Sequence, residues 1–248
     1  MIIHRTPSAT RRDGRLLASL DVEWTKNYRI KNGNVPFCWS ITWIRLPATP
    51  GPPPEEFAFT SAYASGGETQ DLIDSADEAI AAMLESADVI IGHQVSSDLA
   101  ILRNASKRPL LSVETLRDRW HSRKTDPDLR ERTVLDSRYD VGDIVTGPSR
   151  RLVDVCGELD LDVTQPELVR HSMTALHRDH WLARGDDEAR ERITVLNLRH
   201  GLSAAYVAAR AAGHLHWETP LNLNRALHTQ LAGHDIGWLR SPTFQALL

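Results

Sequence analysis

The chain has 248 residues, 25% charged and 41% hydrophobic, with a formal net charge of −4. That length can bury a substantial core, and the composition excludes wholesale disorder. Two cysteines, Cys38 and Cys156, exclude a disulfide framework and a four-thiolate zinc site, and no run reaches the ~18 apolar residues of a membrane-spanning helix.

Residues 1–14 are polar, carry Arg5, Arg11 and Arg12, and read as a flexible leader without the apolar stretch of a signal peptide, so a cytoplasmic location is expected. Leu16-Leu17-Ala18-Ser19-Leu20 is a short apolar run that ends in Asp21-Val22-Glu23-Trp24. Residues 37–44 alternate large apolar side chains with smaller or polar ones, the pattern of a half-buried strand. On that face Trp39 and Trp43 read as packing residues rather than stacking platforms. Asn32-Gly33-Asn34 marks a turn between the two strands, 47–54 is a proline-rich loop, and 56–63 suits a third, antiparallel strand.

From there the pattern alternates. Residues 75–86 have helical spacing, 88–92 form a short apolar strand, and 98–104 are helical. The charged stretch 117–132 reads as a solvated loop or exposed helix end, and 133–136 as a fifth strand. Residues 152–161 are helical, and 186–212 suit one long helix. These elements predict an α/β fold, a mixed five-stranded sheet flanked by helices. One domain is expected over 15–213, with 214–248 as an extension packed on it.

Two acidic pieces suggest chemistry. Residues two apart on a strand share a face, so Asp21 and Glu23 can hold one divalent cation between them. About four acid-x-acid pairs arise by chance among 33 acids in 248 residues, so the pair alone is weak. The second piece is Gly92-His93-Gln94-Val95-Ser96-Ser97-Asp98, where an apolar strand ends, a polar turn follows and Asp98 opens a helix. Asp98 could simply cap that helix, although Ser96 and Ser97 could do so too.

Together these pieces resemble the DEDD superfamily of 3′–5′ exonucleases. Asp21-Val22-Glu23, followed by Thr25, is similar to the family's Asp-x-Glu motif, and Gly92-His93-Gln94 through Asp98 to its Gly-His-Asn-x-x-Phe-Asp motif. Gln94 and Ser97 stand where the family has Asn and an aromatic residue. Leu135-Asp136-Ser137-Arg138 looks like the family's strand after the second motif. The resemblance spans residues 16–212 by order of elements as much as by motif. It implies a ribonuclease-H-like fold, two bound divalent ions (Mg²⁺ or Mn²⁺) and phosphodiester hydrolysis at a single-stranded DNA or RNA 3′ end. By carry-over, Asp21 bridges both ions, Glu23 binds the first and positions the water, and Asp98 anchors the second.

The family's last carboxylate is missing. In the long helix, Leu196 would align with the family's Tyr and His200 with its Asp; under the alternative spacing His200 is a general base and Ala205 replaces the Asp. Asp186 and Asp187 lie some 13–14 residues upstream, ~20 Å along the helix, and cannot substitute. As a neutral imidazole, His200 would favour Mn²⁺ over Mg²⁺. It also suits a plain surface or interface helix.

Lys26, Tyr28, Arg29 and Lys31, beside the first motif, suit phosphate contact and base stacking, or equally an ordinary polar hairpin; Thr25, His93 and Gln94 complete the nucleic-acid-contact set. His171, His177 and His180 beside Asp179 lack the ligand pattern of a structural zinc site. The functional expectation is a metal-dependent exonuclease. The alternatives are an exonuclease-fold module that binds nucleic acid or a protein partner without cutting, and a different metal-dependent hydrolase on the same fold.

Overall fold

A computed structural model describes residues 1–6, 14–25, 33–54, 56–169 and 171–248. The first strand in chain order, β1 (Ile2–Arg5), lies within the stretch expected as a leader and pairs antiparallel with β4 (Ala58–Tyr63). It makes the main sheet six-stranded rather than five-stranded. The two long strands, β2 (Leu16–Thr25) and β3 (Val35–Arg45), pair antiparallel. Strand β3 is buried from Pro36 to Thr42 rather than half-buried, because a hydrophobic cluster lies on each side of the sheet, with Ile44 in one and Trp39 and Ile41 in the other. Even-numbered Ala18, Leu20 and Val22 of β2 enter one core, whereas Leu17 enters another. Trp39 is buried in the first of these and donates from Nε1 to the Leu72 carbonyl at 3.2 Å, so it packs and does not stack.

Helix α1 (Thr69–Ser86) starts six residues before its apolar pattern suggested, and buries Leu72, Ile73, Ala76, Ile80 and Met83. Strand β5 (Val89–Gly92) then pairs parallel with β2. Helix α2 (Val95–Ala105) and helix α3 (Leu111–Ser122) follow. Most of the charged 117–132 stretch lies beyond α3, and β6 (Val134–Asp136) adds parallel to β5. The order β1-β4-β3-β2-β5-β6 therefore joins an antiparallel meander to two parallel strands. Helices α1, α2 and α3 share one hydrophobic cluster with one face of the sheet.

Helix α4 (Leu152–Glu158) stops three residues earlier than expected. The chain turns at Asp160, whose φ is +56°, and Leu161 enters β7 (Leu161–Asp162). Helix α5 (Met173–Ala175) runs directly into a π-helical stretch, Leu176–Leu182. The long helix α6 (Asp187–Ala211) is capped by Asp186, whose side chain accepts from the Ala189 amide at 3.2 Å. Its burial on nearly all sides marks it as a central element. At Gly201 it passes close over the sheet, within 3.8 Å of the Ser19 carbonyl for an added Cβ.

Residues 214–248 form β8 (Leu221–Asn222), α7 (Leu223–Leu231) and α8 (Pro242–Gln245), with β8 parallel to β7. Trp217, Leu227, Trp238 and Phe244 sit in the same cluster as Leu17, Ile44 and Ile91 of the sheet. This segment shares the main core. Among the described residues, no helix is long and apolar enough to cross a membrane.

Candidate metal centre

The site forms where β2 and β5 part. The two strands pair from Leu17–Val89 to Ser19–Ile91, and β5 then ends at Gly92. A crevice at the carboxyl ends of parallel strands is a usual place for a ligand in an open α/β sheet. The turn leaving β5 is tight. A Cβ at Gly92 would lie 2.5 Å from Val95 Cγ2 and 2.9 Å from the Leu20 carbonyl oxygen, so glycine is required.

Gln94 then takes φ +67°, an αL conformation that costs roughly 1–2 kcal/mol for a non-glycine residue. Asp136, fully buried at the end of β6, holds the turn. Its carboxylate accepts from the amides of Gln94 (2.9 Å), Val95 (3.1 Å) and Arg138 (3.0 Å), and from Trp120 Nε1 (3.0 Å). The consequence is a fixed start for α2, with Asp98 in its first turn.

On β2, Asp21 and Glu23 face α6. Asn197 donates from Nδ2 to Asp21 Oδ2 at 2.6 Å and to the Asp21 carbonyl at 3.3 Å. One helical turn on, His200 places Nδ1 3.1 Å from Glu23 Oε1 and 3.6 Å from Asp21 Oδ2. Ligand atoms of Asp21, Glu23 and His200 all lie within 4.8 Å of one another, the only such three-residue grouping of His, Cys, Asp or Glu among the described residues.

The electrostatics are lopsided. Burial opposes the charged form of His200, but the hydrogen bonds and charges of Asp21 and Glu23 outweigh it and raise the imidazole to about 10. Asp98 moves well above the usual carboxylate range, first through burial and then through the negative charges of Asp21, Glu23 and Asp136. Its Oδ2 is buried with no hydrogen-bond partner, and so is Asn197 Oδ1. Crowded carboxylates and orphaned buried oxygens create a demand for positive charge that a divalent cation would satisfy. Two carboxylates and an imidazole are a donor set suited to Mn²⁺ or Zn²⁺ more than to Mg²⁺. The residues present therefore fit the group.

The expected nucleic-acid contacts are placed differently. Thr25 Oγ1 accepts from the Val35 amide at 3.2 Å and so closes the β2–β3 ladder. His93 pairs through Nδ1 with Ser137 Oγ at 3.0 Å, and burial lowers it to about 4. Gln94 donates from Nε2 to Ser97 Oγ at 2.8 Å. All three side chains have bonds within the protein. Lys26, Tyr28, Arg29 and Lys31 lie outside the described residues.

The other histidines form no metal cluster among the described residues: His177 bonds Tyr63 at 2.6 Å beneath a stacked Phe37, and His180 faces Asp186 at 3.5 Å. Burial lowers His177 to about 4.

Asn197 carries no signal in the sequence beyond its place three residues before His200. A cleft of about 570 Å³ opens beside Glu23, lined by Trp24, Val169, His171 and Thr174 among others. Its volume is within the range of small-molecule sites. No protein-family model matches the chain, and no curated protein matches its sequence.

Proposed function

We propose that the protein is a divalent-cation-dependent phosphodiesterase of the DEDD exonuclease type, acting at single-stranded nucleic-acid 3′ ends. The observation that carries this reading is the convergence of Asp21, Glu23 and His200 from strand and helix, with Asp98 buried nearby. The antiparallel meander followed by parallel β5 and β6 agrees with the ribonuclease-H-like core that the resemblance implies.

Asp21, Glu23 and His200 would hold one cation, and Asp21 with Asp98 a second. When bound, such ions lower the pKa of water and stabilise the charge that grows on phosphate in an in-line displacement. The chain supplies the rest. Asn197 fixes the Asp21 carboxylate through the 2.6 Å bond, and Glu23 would orient the attacking water. His200 gives up its proton before it can serve as a donor atom.

The test is 3′ shortening of 5′-labelled single-stranded DNA and RNA with Mn²⁺ or Mg²⁺. Shortening is expected with Mn²⁺ and is lost with EDTA and with Asp21→Ala. Shortening that survives Asp21→Ala rejects this centre.

One observation favours a second reading, a module that binds without cutting. The His200 side chain already stands as an ion-pair partner between Asp21 and Glu23, where a cation would otherwise be needed. Under that reading the oligonucleotide binds with the same affinity whether or not Mn²⁺ is present, and is never shortened.

A further inference from the structure

The turn after β6 is tied together by its own hydrogen bonds. The amide of Asp136 donates to Asp140 Oδ2 at 2.9 Å, while the Tyr139 and Asp140 amides both return to the Asp136 carbonyl, at 2.9 and 2.7 Å. Asp140 is buried, gripped by Arg123 Nε at 2.8 Å and Arg132 Nη1 at 3.0 Å. Two arginines thus hold the buried Asp140 carboxylate, while the Arg138 guanidinium points elsewhere, its Nη1 3.4 Å from the Arg150 carbonyl.

Two side chains emerge from this frame. Arg138 is partly exposed, and Tyr139 is 49% exposed, the only aromatic ring among the large exposed apolar side chains of the described residues. The Tyr139 ring meets Trp120 edge-on at 6.4 Å, and the Arg138 guanidinium carbon lies 5.8 Å from the Tyr139 centroid. Trp120 itself is covered by Arg123 at 4.1 Å. An exposed ring already held beside a cation by its neighbours lowers the ordering cost of binding.

The turn also abuts the turn that leaves β5 beside the metal centre: Asp136 pairs with Gly92, the Ser137 amide donates to the Gly92 carbonyl at 2.9 Å, and Ser137 Oγ lies 3.0 Å from His93 Nδ1. We propose that Arg138 and Tyr139 form a nucleic-acid subsite next to the centre, Arg138 contacting a backbone phosphate and Tyr139 stacking on a base. An aromatic face paired with a cation suits single-stranded nucleic acid, because every base offers a π-face and every link a negative charge. The subsite rests on the nucleic-acid reading of the metal centre and extends it to a surface that the motifs do not mark.

The test measures anisotropy of 5′-fluorescein-labelled ten-nucleotide oligo(dT) and oligo(U) in EDTA, across a salt series. Tyr139→Ala is expected to weaken binding by at least about fivefold, and Tyr139→Phe to restore it. Arg138→Gln is expected to weaken binding and to lower the log–log salt slope by about 0.7, the value for one phosphate contact on a single strand. Melting temperatures equal to wild type separate this loss from unfolding. If Arg138→Gln and Tyr139→Ala bind as tightly as wild type, or if wild type fails to bind in EDTA yet shortens the oligonucleotides with Mn²⁺, the subsite is overturned and the metal centre stands. If wild type neither binds in EDTA nor shortens either oligonucleotide with Mn²⁺, both readings fall together.

Discussion

His200 Nδ1 stands 3.1 Å from Glu23 Oε1, although 177 residues separate them in the chain. This contact joins the middle of α6 to the end of β2 and puts an imidazole beside the carboxylates of Asp21 and Glu23.

The first concerns metal choice. An imidazole donor lowers the negative charge of the site by one unit compared with aspartate, and softer Mn²⁺ tolerates nitrogen better than Mg²⁺ does. Wild type is expected to be at least about tenfold more active with Mn²⁺ than with Mg²⁺. His200→Asp should narrow that gap by raising Mg²⁺-dependent hydrolysis. Mg²⁺-dependent activity no higher than wild type would show that His200 does not occupy the fourth position.

The second concerns pH. Folding raises His200 from 6.5 to about 10. The folded state therefore binds this proton more tightly than the unfolded chain. The resulting stabilisation is complete below about pH 6.5 and is lost as pH climbs towards 10. Its size is roughly 3–5 kcal/mol. Urea melts in EDTA between pH 6 and 10 should show wild type losing stability relative to His200→Gln. Parallel curves would disprove the coupling. The same proton must leave when a cation binds, so Mn²⁺ affinity should rise with pH and protons should be released on binding.

The third concerns Asp98. Its carboxyl is raised by burial and by the charges of Asp21, Glu23 and Asp136. A carboxyl shifted this way stabilises fully below its unfolded pKa, and that stability is lost as pH rises through the shifted value. Asp98→Asn removes the penalty and should stabilise the metal-free protein by about 1–2 kcal/mol at pH 7.5, with less gain near pH 4. The thermal shift produced by Mn²⁺ should shrink in the same variant. A variant that melts lower at pH 7.5 and responds normally to Mn²⁺ contradicts both roles.

The fourth concerns Asp136. Its carboxylate accepts four hydrogen bonds at the start of α2 and around Trp120. Asp136→Ala leaves those donors unpaired in the core and should cost at least about 3 kcal/mol. Chemical denaturation measures it, and a loss under 1 kcal/mol would mean that solvent reaches these donors.

The fifth concerns the C-terminal segment. Trp238 is 1% exposed and shares a cluster with Leu17 and Ile91 of the sheet. Trp238→Ala should destabilise the whole domain by about 3–5 kcal/mol in a single transition. A separate early transition would instead show that residues 214–248 melt independently.

Much of the fold was legible because strands and helices write their period into the chain. The apolar positions of residues 75–86 follow directly from which side chains leave water, whereas the alternation in residues 37–44 hid that β3 is buried on both faces. The edge strand Ile2–Arg5 was hidden because four residues of mixed polarity carry no period; its pairing with β4 supplies the order. Helix α4 was read too long because the left-handed turn at Asp160 depends on β8, which arrives sixty residues later.

For the site, the sequence by itself determined what is local. Asp21 and Glu23 share a face because they are two apart on a strand, and Asp98 follows β5 because glycine at position 92 permits the tight turn. Tertiary structure alone decided what closes the centre. Helix α6 is buried on nearly every side, so its hydrophobic pattern does not tell which face meets β2. Packing over the sheet at Gly201 selects that face, bringing Asn197 to Asp21 and His200 to Glu23.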